Sequence, residues 1–520
     1  MKIICRLLMA FALLVPSSCA RFGDEDPTPS TGNDNTVNRR MDDYMKSHYL
    51  YNEAYRSVTP VFSKSYDAFL SDVLSQMYRR GANPKDGRPS GSGWAFYSYI
   101  MREGATRAVP ADKPLTYGYG IDVGFVQMSE SSGQIGFFID FVYPGSPAEK
   151  AGLHRGDIIY RIDGAIASRD NYSAIYRDLF EGNHSGVRSS KFTLLSFDGD
   201  GRASEGPVVT LTSGSYYATP VVYAAVYEIK GRRIAHLVYT AFDGDFDDDL
   251  EAAMQRFREL EAEEIIVDLR YNGGGSVASA QLLASILAGP SCSGRVFTYY
   301  RYNDERMAAE KRDPRDYTTY DYTAFSGTAA SRFDFGFGRI YVVATSATAS
   351  ASELLINALR GIGKEVVIAA SERTNGKDVG MEAIRFTVGT ASYIFAPITF
   401  QSYNARGQSD YDDGFTPDIK PSKNYEVQMP LEDWGVFYLT SNDYLYRSDF
   451  VSDILVDILG NTVYADSDFR ILYRSNAGAV TGTRAETPSP VSRTLRRGAF
   501  DAGGLMPAVP RDLQRTNMFK

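Results

Sequence analysis

Cysteine and histidine are scarce in this chain of 520 residues: there are three cysteines, Cys5, Cys19 and Cys292, and four histidines, His48, His154, His184 and His236. Two of the cysteines fall in the first twenty residues, so no disulfide framework can hold the body together. Without close Cys/His groups there is little material for a zinc site, and neither a metal nor a cofactor is expected. A basic excess is also missing. Lys and Arg number 55 against 64 Asp and Glu, a net charge of −9, which argues against nucleic acid as a partner. The opening apolar run, Leu7 to Val15, is too short to span a bilayer as a stable helix. What is present is an ordinary globular balance, 43% hydrophobic and 23% charged, in a chain long enough for two to four folded units.

Lys2 and Arg6 precede that apolar run, and Ser17, Ser18 and Cys19 follow it, which is export-signal architecture. The Ser17-Ser18-Cys19 arrangement resembles a bacterial lipoprotein signal, in which the cysteine is lipidated and becomes the new amino terminus. Pro16 stands where that pattern usually has Leu, and plain secretion is the alternative. The resemblance implies a signal peptide over 1–18, lipidation at Cys19, and an exported protein, periplasmic or anchored to the membrane as an outer-membrane lipoprotein of a Gram-negative bacterium. Residues 19–36 are rich in Asp, Pro, Thr, Asn and Gly and read as a flexible tether.

Residues 37–104 carry apolar residues at helical spacing, such as Met41, Tyr44, Met45 and Tyr49, then Tyr66, Phe69, Leu70 and Val73; a helical N-terminal unit is expected. Glycines and prolines from Gly81 to Gly93 predict a loop. From 115 to 215 short strands punctuated by Gly and Pro predict a β-rich module. Its run Pro144-Gly145-Ser146-Pro147-Ala148-Glu149-Lys150-Ala151-Gly152-Leu153, followed by Arg155-Gly156-Asp157-Ile158-Ile159, resembles a PDZ domain. By that resemblance Tyr119, Gly120 and Ile121 form the loop whose backbone N–H groups receive a peptide's terminal carboxylate; a spacer that binds nothing is the alternative. Residues 220–425 alternate strand-like and helix-like segments and predict an α/β core. The acidic run Asp243, Asp245, Asp247, Asp248 and Asp249 is read as carboxylates facing the positive end of the next helix rather than as a calcium loop. A C-terminal helical segment over 426–474 and a mobile, mildly basic tail over 475–520 complete the chain.

Two segments of the core carry chemistry. Ile265-Ile266-Val267-Asp268-Leu269-Arg270-Tyr271-Asn272-Gly273-Gly274-Gly275-Ser276 is an apolar strand running into a triple-glycine turn, where backbone N–H groups are unobstructed by side chains. Such a turn could cradle phosphate or an oxyanion, or simply connect strand to helix. Ile340 to Ala344 is a second strand, followed by the small residues Thr345 to Ser352, Glu353 and an apolar helix. A serine there suits a nucleophile, because the helix entrance favours developing negative charge; taken alone, it reads as a helix cap. Downstream stands Arg373-Thr374-Asn375-Gly376-Lys377-Asp378. A lysine can serve as general base only if burial lowers its pKa, and no histidine follows His236, itself read as a core histidine rather than a base.

Taken together, Val267-Asp268-Leu269-Arg270 with the glycines, Ser350-Ala351-Ser352-Glu353, Gly376-Lys377 and the PDZ-like run resemble, in that order, the carboxy-terminal processing peptidases, or tail-specific proteases. The resemblance covers roughly residues 40–460. It implies a multidomain α+β protein with a crotonase/ClpP-like α/β serine peptidase core, the protease core falling within 220–425. Ser352 becomes the nucleophile and Lys377 its base, 25 residues apart, with Ser350 the alternative nucleophile. The backbone N–H groups of Glu353 and Gly274 become the oxyanion donors. The expected function is an exported serine endopeptidase acting on protein or peptide substrates with exposed carboxyl termini, selected by the PDZ domain. The N-terminal helices are candidates for homo-oligomer formation, by analogy alone. Met381 stands where many members place a glutamine that orients the lysine. Methionine cannot replace an amide's hydrogen bonds, which motivates a catalytically inactive peptide- or apolar-ligand-binding protein as the second reading. An acyl-transfer enzyme of the crotonase class ranks third, because export argues against a coenzyme A substrate.

Overall fold

Segments of near-continuous apolar sequence, suited to burial on both faces of a parallel sheet, form the centre of the molecule. The computed structural model describes residues 34–81, 84–90, 93–103, 115–129, 133–180, 186–197, 203–420, 450–460 and 469–475. Its central six-stranded sheet has the order Glu365–Ala369, Arg339–Val343, Glu264–Asp268, Arg232–Tyr239, Val221–Ile229 and Phe469–Arg474. The first four strands are parallel, and Val221–Ile229 pairs antiparallel with both of its neighbours, Arg232–Tyr239 and Phe469–Arg474. The helices Asp247–Glu259, Val277–Ala288 and Ala351–Gly361 bury apolar faces, and Leu250, Leu283 and Leu355 pack in one core with Val267 and Val342 of the strands. The opposite face is covered by the helix Phe450–Leu459. Parallel connections leave the turns after Glu264–Asp268, Arg339–Val343 and Glu365–Ala369 at one edge of the sheet, side by side. Those turns carry the glycines, the serines and Lys377.

The β-rich module closes on itself. Leu115–Gly118 pairs antiparallel with Gly214–Tyr217, so the chain enters and leaves at one place. Between them a sheet of order Ala203–Thr212, Ser189–Phe197, Ile158–Ile162, Gln134–Val142 and Ile121–Ser129 packs with the helix Tyr172–Leu179 around Phe137, Ile139 and Phe192.

Three expectations need correction. The N-terminal unit is not purely helical. After the helices Asp34–His48, Asn52–Tyr55 and Tyr66–Arg79, the stretch expected as a loop forms a hairpin, Gly87–Ser90 with Gly93–Phe96. Tyr99–Arg102 then adds as a strand to the core's own Ala391–Ala396, a pairing that only a distant segment provides. The expected tether overlaps structure, because the first helix begins at Asp34 and buries Val37. The expected C-terminal helical segment ends in the strand Phe469–Arg474, which pairs with Ala225–Ile229 at the sheet's edge. The expected signal peptide, Cys19, and the tail from residue 476 onward lie outside the described residues.

Candidate active site

The glycine turn and the serine turn are stapled together by hydroxyls. Thr345 Oγ1 donates to the Arg270 carbonyl at 2.7 Å, and Thr348 Oγ1 donates to the Leu269 carbonyl at 2.8 Å. Asn272 sits between the turns: its amide donates to the Tyr239 carbonyl at 2.9 Å, and its Oδ1 accepts the Gly274 N–H at 2.8 Å. Gly274 has a φ of +111°, and a Cβ there would lie 2.7 Å from the Ser350 Cβ and 2.9 Å from the Ala351 nitrogen. Only glycine lets the two turns approach this closely.

The structure separates the two candidate serines. Ser352 is 0% exposed, and its hydroxyl donates inward to the Asn272 carbonyl at 3.0 Å. The Ser352 hydroxyl, expected as the nucleophile, thus points into the core. Ser350 is half-buried at the start of the helix, with φ +56° and ψ −116°. That left-handed conformation stores about 1–3 kcal/mol in a non-glycine residue and is the kind of strain found at working sites.

The Glu353 side chain is completely buried. Oε2 accepts the N–H of Ser350 at 3.1 Å and that of Lys377 at 2.8 Å; Oε1 accepts from the Thr374 hydroxyl at 2.6 Å and the Gly376 N–H at 2.5 Å. One oxygen thus ties the strained serine to the lysine. Burial pushes the Glu353 carboxyl up to about 7, against the pull of these hydrogen bonds. The N–H that follows Ser350 belongs to Ala351, and the Gly274 N–H, expected as an oxyanion donor, is given to Asn272.

Lys377 is 8% exposed, with Nζ 4.8 Å from the centre of the Tyr97 ring. Beneath the sheet's site edge, Asp268 is held well below the usual carboxylate range. Complete burial pushes it up, but Arg270, bidentate at 2.6 and 2.9 Å, and His236 overcome that. His236 itself is buried in the sheet between Asp268 and the Tyr227 hydroxyl, and Cys292 is buried in the core. Asp243 caps a short 3-10 turn, and Asp247, Asp248 and Asp249 lie in the first turn of the next helix. Among the described residues no group of three or more His, Cys, Asp or Glu side chains is arranged to hold a metal ion.

In the β-rich module, Gly120 has a φ of +79°, and a Cβ there would overlap Ser146. The Tyr119 side chain is buried and its hydroxyl donates to Ser190 at 3.1 Å; Ile121 is also buried. The carbonyls of Tyr119 and Gly120 accept the N–H groups of Ala148 and Tyr143. Asn272, Thr345, Thr348, Thr374 and the Glu353 carboxylate escape a reading of the sequence. Asn272 alone carried a signal, as an Asn-Gly pair suited to a turn closed by its own side chain.

The fold and site define a PDZ-bearing α/β protein whose sheet edge joins a glycine turn, a strained serine and a buried lysine. The comparisons with known proteins agree. Residues 233–421 match the model for peptidase family S41, and residues 138–169 match that for the PDZ domain. The C-terminal processing peptidase of Tetradesmus obliquus chloroplasts is 24% identical over 288 residues, 53% of this chain and 55% of that protein. Carboxyl-terminal-processing peptidase 2 of Arabidopsis thaliana chloroplasts is 24% identical over 314 residues, 59% of this chain and 54% of that protein. The chain spans about half the length of these curated relatives. A crystal structure of a candidate S41 protease from Bacteroides fragilis shares the fold, with a TM-score of 0.61 at 23% identity, covering 81% of this chain and 97% of that one. The chain carries a PDZ domain and a peptidase family S41 domain.

Proposed function

We propose that the chain is a serine endopeptidase in which Ser350 is the nucleophile and Lys377 the general base. The observation that carries this reading is the single Glu353 oxygen shared by the N–H groups of Ser350 and Lys377. Ser350 Oγ attacks the scissile carbonyl carbon, and its proton passes to the free amine of Lys377. The oxyanion is received by the Ala351 N–H, which as the first in its helix has no carbonyl within that helix to bind. The Gly274 N–H joins it by exchanging its bond to Asn272. Collapse of the tetrahedral adduct breaks the C–N bond, and the Lys377 proton goes to the leaving amine. Water then attacks the Ser350 ester, Lys377 taking its proton and returning one to Ser350.

The PDZ domain selects substrates by their carboxyl termini, through the backbone N–H groups of the Tyr119–Ile121 loop. Export through residues 1–18 and lipid attachment at Cys19 belong to the same reading and rest on the sequence alone.

The test is a cleavage time course followed by mass spectrometry on an unfolded protein with an apolar carboxyl terminus. Ser350→Ala and Lys377→Ala are expected to yield no products, while Ser352→Ala cleaves. If Ser352→Ala is silent and Ser350→Ala cleaves at the wild-type rate, the nucleophile assignment is wrong.

A further inference from the structure

Met381, which stands where the resemblance implies a glutamine, lies on the strand Val379–Met381 and packs with the cluster that joins the N-terminal helices to residues 379–398. That same N-terminal unit reaches the lysine. The Tyr97 ring faces Nζ at 4.8 Å. Its hydroxyl is fixed on two sides, donating to Asn375 Oδ1 at 2.9 Å and accepting from Arg88 Nε at 3.1 Å. Asn375 in turn is bound to the serine turn through the Thr348 and Ser346 carbonyls. Asp86, completely buried, accepts from the Tyr49 hydroxyl at 2.7 Å and from the Ser98 hydroxyl and N–H at 2.6 and 2.8 Å; its charge and that of Lys377 act on one another. The charges of Arg88 and Glu353 also act on Tyr97, and Asp378, next to Lys377, pairs with Lys85.

We propose that the N-terminal unit takes over the positioning of the base: Tyr97 holds the Lys377 ammonium against its ring face, and the buried Asp86 stabilises that ammonium as it forms. The inference rests on Lys377 being the base. An aromatic face and a desolvated carboxylate attract a cation and do little for a free amine. Their effect is therefore largest after Ser350 has given up its proton, which is where it lowers the barrier. Tyr97 and Asp86 are positioning residues, since both act through Lys377.

The experiment compares full-length wild type with Tyr97→Leu, Tyr97→Phe, Asp86→Asn and Lys377→Ala, measuring kcat, KM and the pH profile of kcat on the unfolded substrate. Tyr97→Leu is expected to lose at least tenfold in kcat with KM within twofold, and Tyr97→Phe, which keeps the ring, to recover most of that loss. In Asp86→Asn the acid limb of the profile moves to lower pH, because removing a negative charge favours the free amine. Wild-type kcat and pH profile in both Tyr97→Leu and Asp86→Asn, with Lys377→Ala inactive, overturn the proposal and leave the base assignment standing. An active Lys377→Ala overturns both. If Tyr97→Leu fails to fold, by thermal melt, the Asp86→Asn profile decides alone.

Discussion

The PDZ domain draws its main core from its own residues between Tyr119 and Leu211, and its two ends are joined by their own strand pair. The N-terminal unit instead buries Val37, Met41, Phe69 and Val73 together with Val379, Tyr393, Phe395 and Ile398 of the S41 domain, and lends Tyr99–Arg102 to a sheet made by that domain. One module is complete and docked; the other is half of a shared core. The PDZ domain meets the S41 core through Phe141 and Tyr143 and through Arg155, whose Nη1 donates to the Tyr271 hydroxyl and the Asp140 carbonyl, each at 2.5 Å. The N-terminal unit meets it at Lys377. A module that shares a core cannot loosen without disturbing the strand that follows the base, whereas a docked one can be perturbed on its own.

The sharpest way to break this contrast is to cut one large side chain from each core. Phe69→Ala and Phe192→Ala each remove a fully buried ring, for about 3–5 kcal/mol. Phe69→Ala is expected to lower the unfolding transition of the S41 domain and to speed amide exchange over residues 379–398. Phe192→Ala is expected to shift only the PDZ transition. Equal exchange over 379–398 in the two variants would mean that the two modules are attached alike.

Each module also buries a carboxylate, and pH distinguishes them. Burial pushes Asp86 up to about 6, offset in part by its hydrogen bonds to Ser98 and Tyr49. A carboxyl whose folded value is raised binds its proton more tightly in the native state, so its contribution is full below about pH 4 and is lost as pH rises through 6. The loss is about 3 kcal/mol, and Asp86→Asn is expected to flatten the denaturant midpoint of the N-terminal unit and S41 domain over that window. Asp140 is raised by burial and by Asp122, with Arg155 pulling it down. Arg155→Met removes that pull and the bond to Tyr271, at about 1–3 kcal/mol. Because the Asp140 carboxyl then favours its proton more strongly still, the gap to wild type widens as pH rises. A gap that narrows between pH 5 and 8 would show that Arg155 does not act through Asp140.

The self-contained parts of the molecule were the legible ones. The PDZ run, the glycine turn and the parallel strands announce themselves within about a dozen residues each, since their geometry is set by local glycines and continuous apolar runs. Tyr99–Arg102 and Phe469–Arg474 gave no such signal, because their partners lie hundreds of residues away. The site divides the same way. Lys377 and the serine pair are visible as motifs, but Ala349-Ser350-Ala351-Ser352 looks alike at both serines. What separates them is the point at which the helix begins: Ser350 stands before its first turn in a strained conformation, and Ser352 inside it with its hydroxyl on Asn272. Tyr97 and Asp86 could not be tied to Lys377 at all, since nothing in the intervening sequence points from one to the other.

Met381 gives the smallest and most discriminating test of the shared core. Its side chain is half-buried against the N-terminal cluster, so Met381→Gln places an amide where the resemblance implies one while removing apolar contact from the junction. The lost burial is worth about 1 kcal/mol, a fraction of the value for a fully buried methionine. If the N-terminal unit already positions Lys377 through Tyr97, the new amide has no task, and cleavage should proceed at the wild-type rate while the melting transition of the S41 domain drops by a few degrees. A rate that rises instead would show that the lysine lacks an orienting group. The N-terminal unit would then be a stabilising cover over the S41 domain, attached by packing alone, and its contrast with the PDZ domain would be one of stability and not of catalysis.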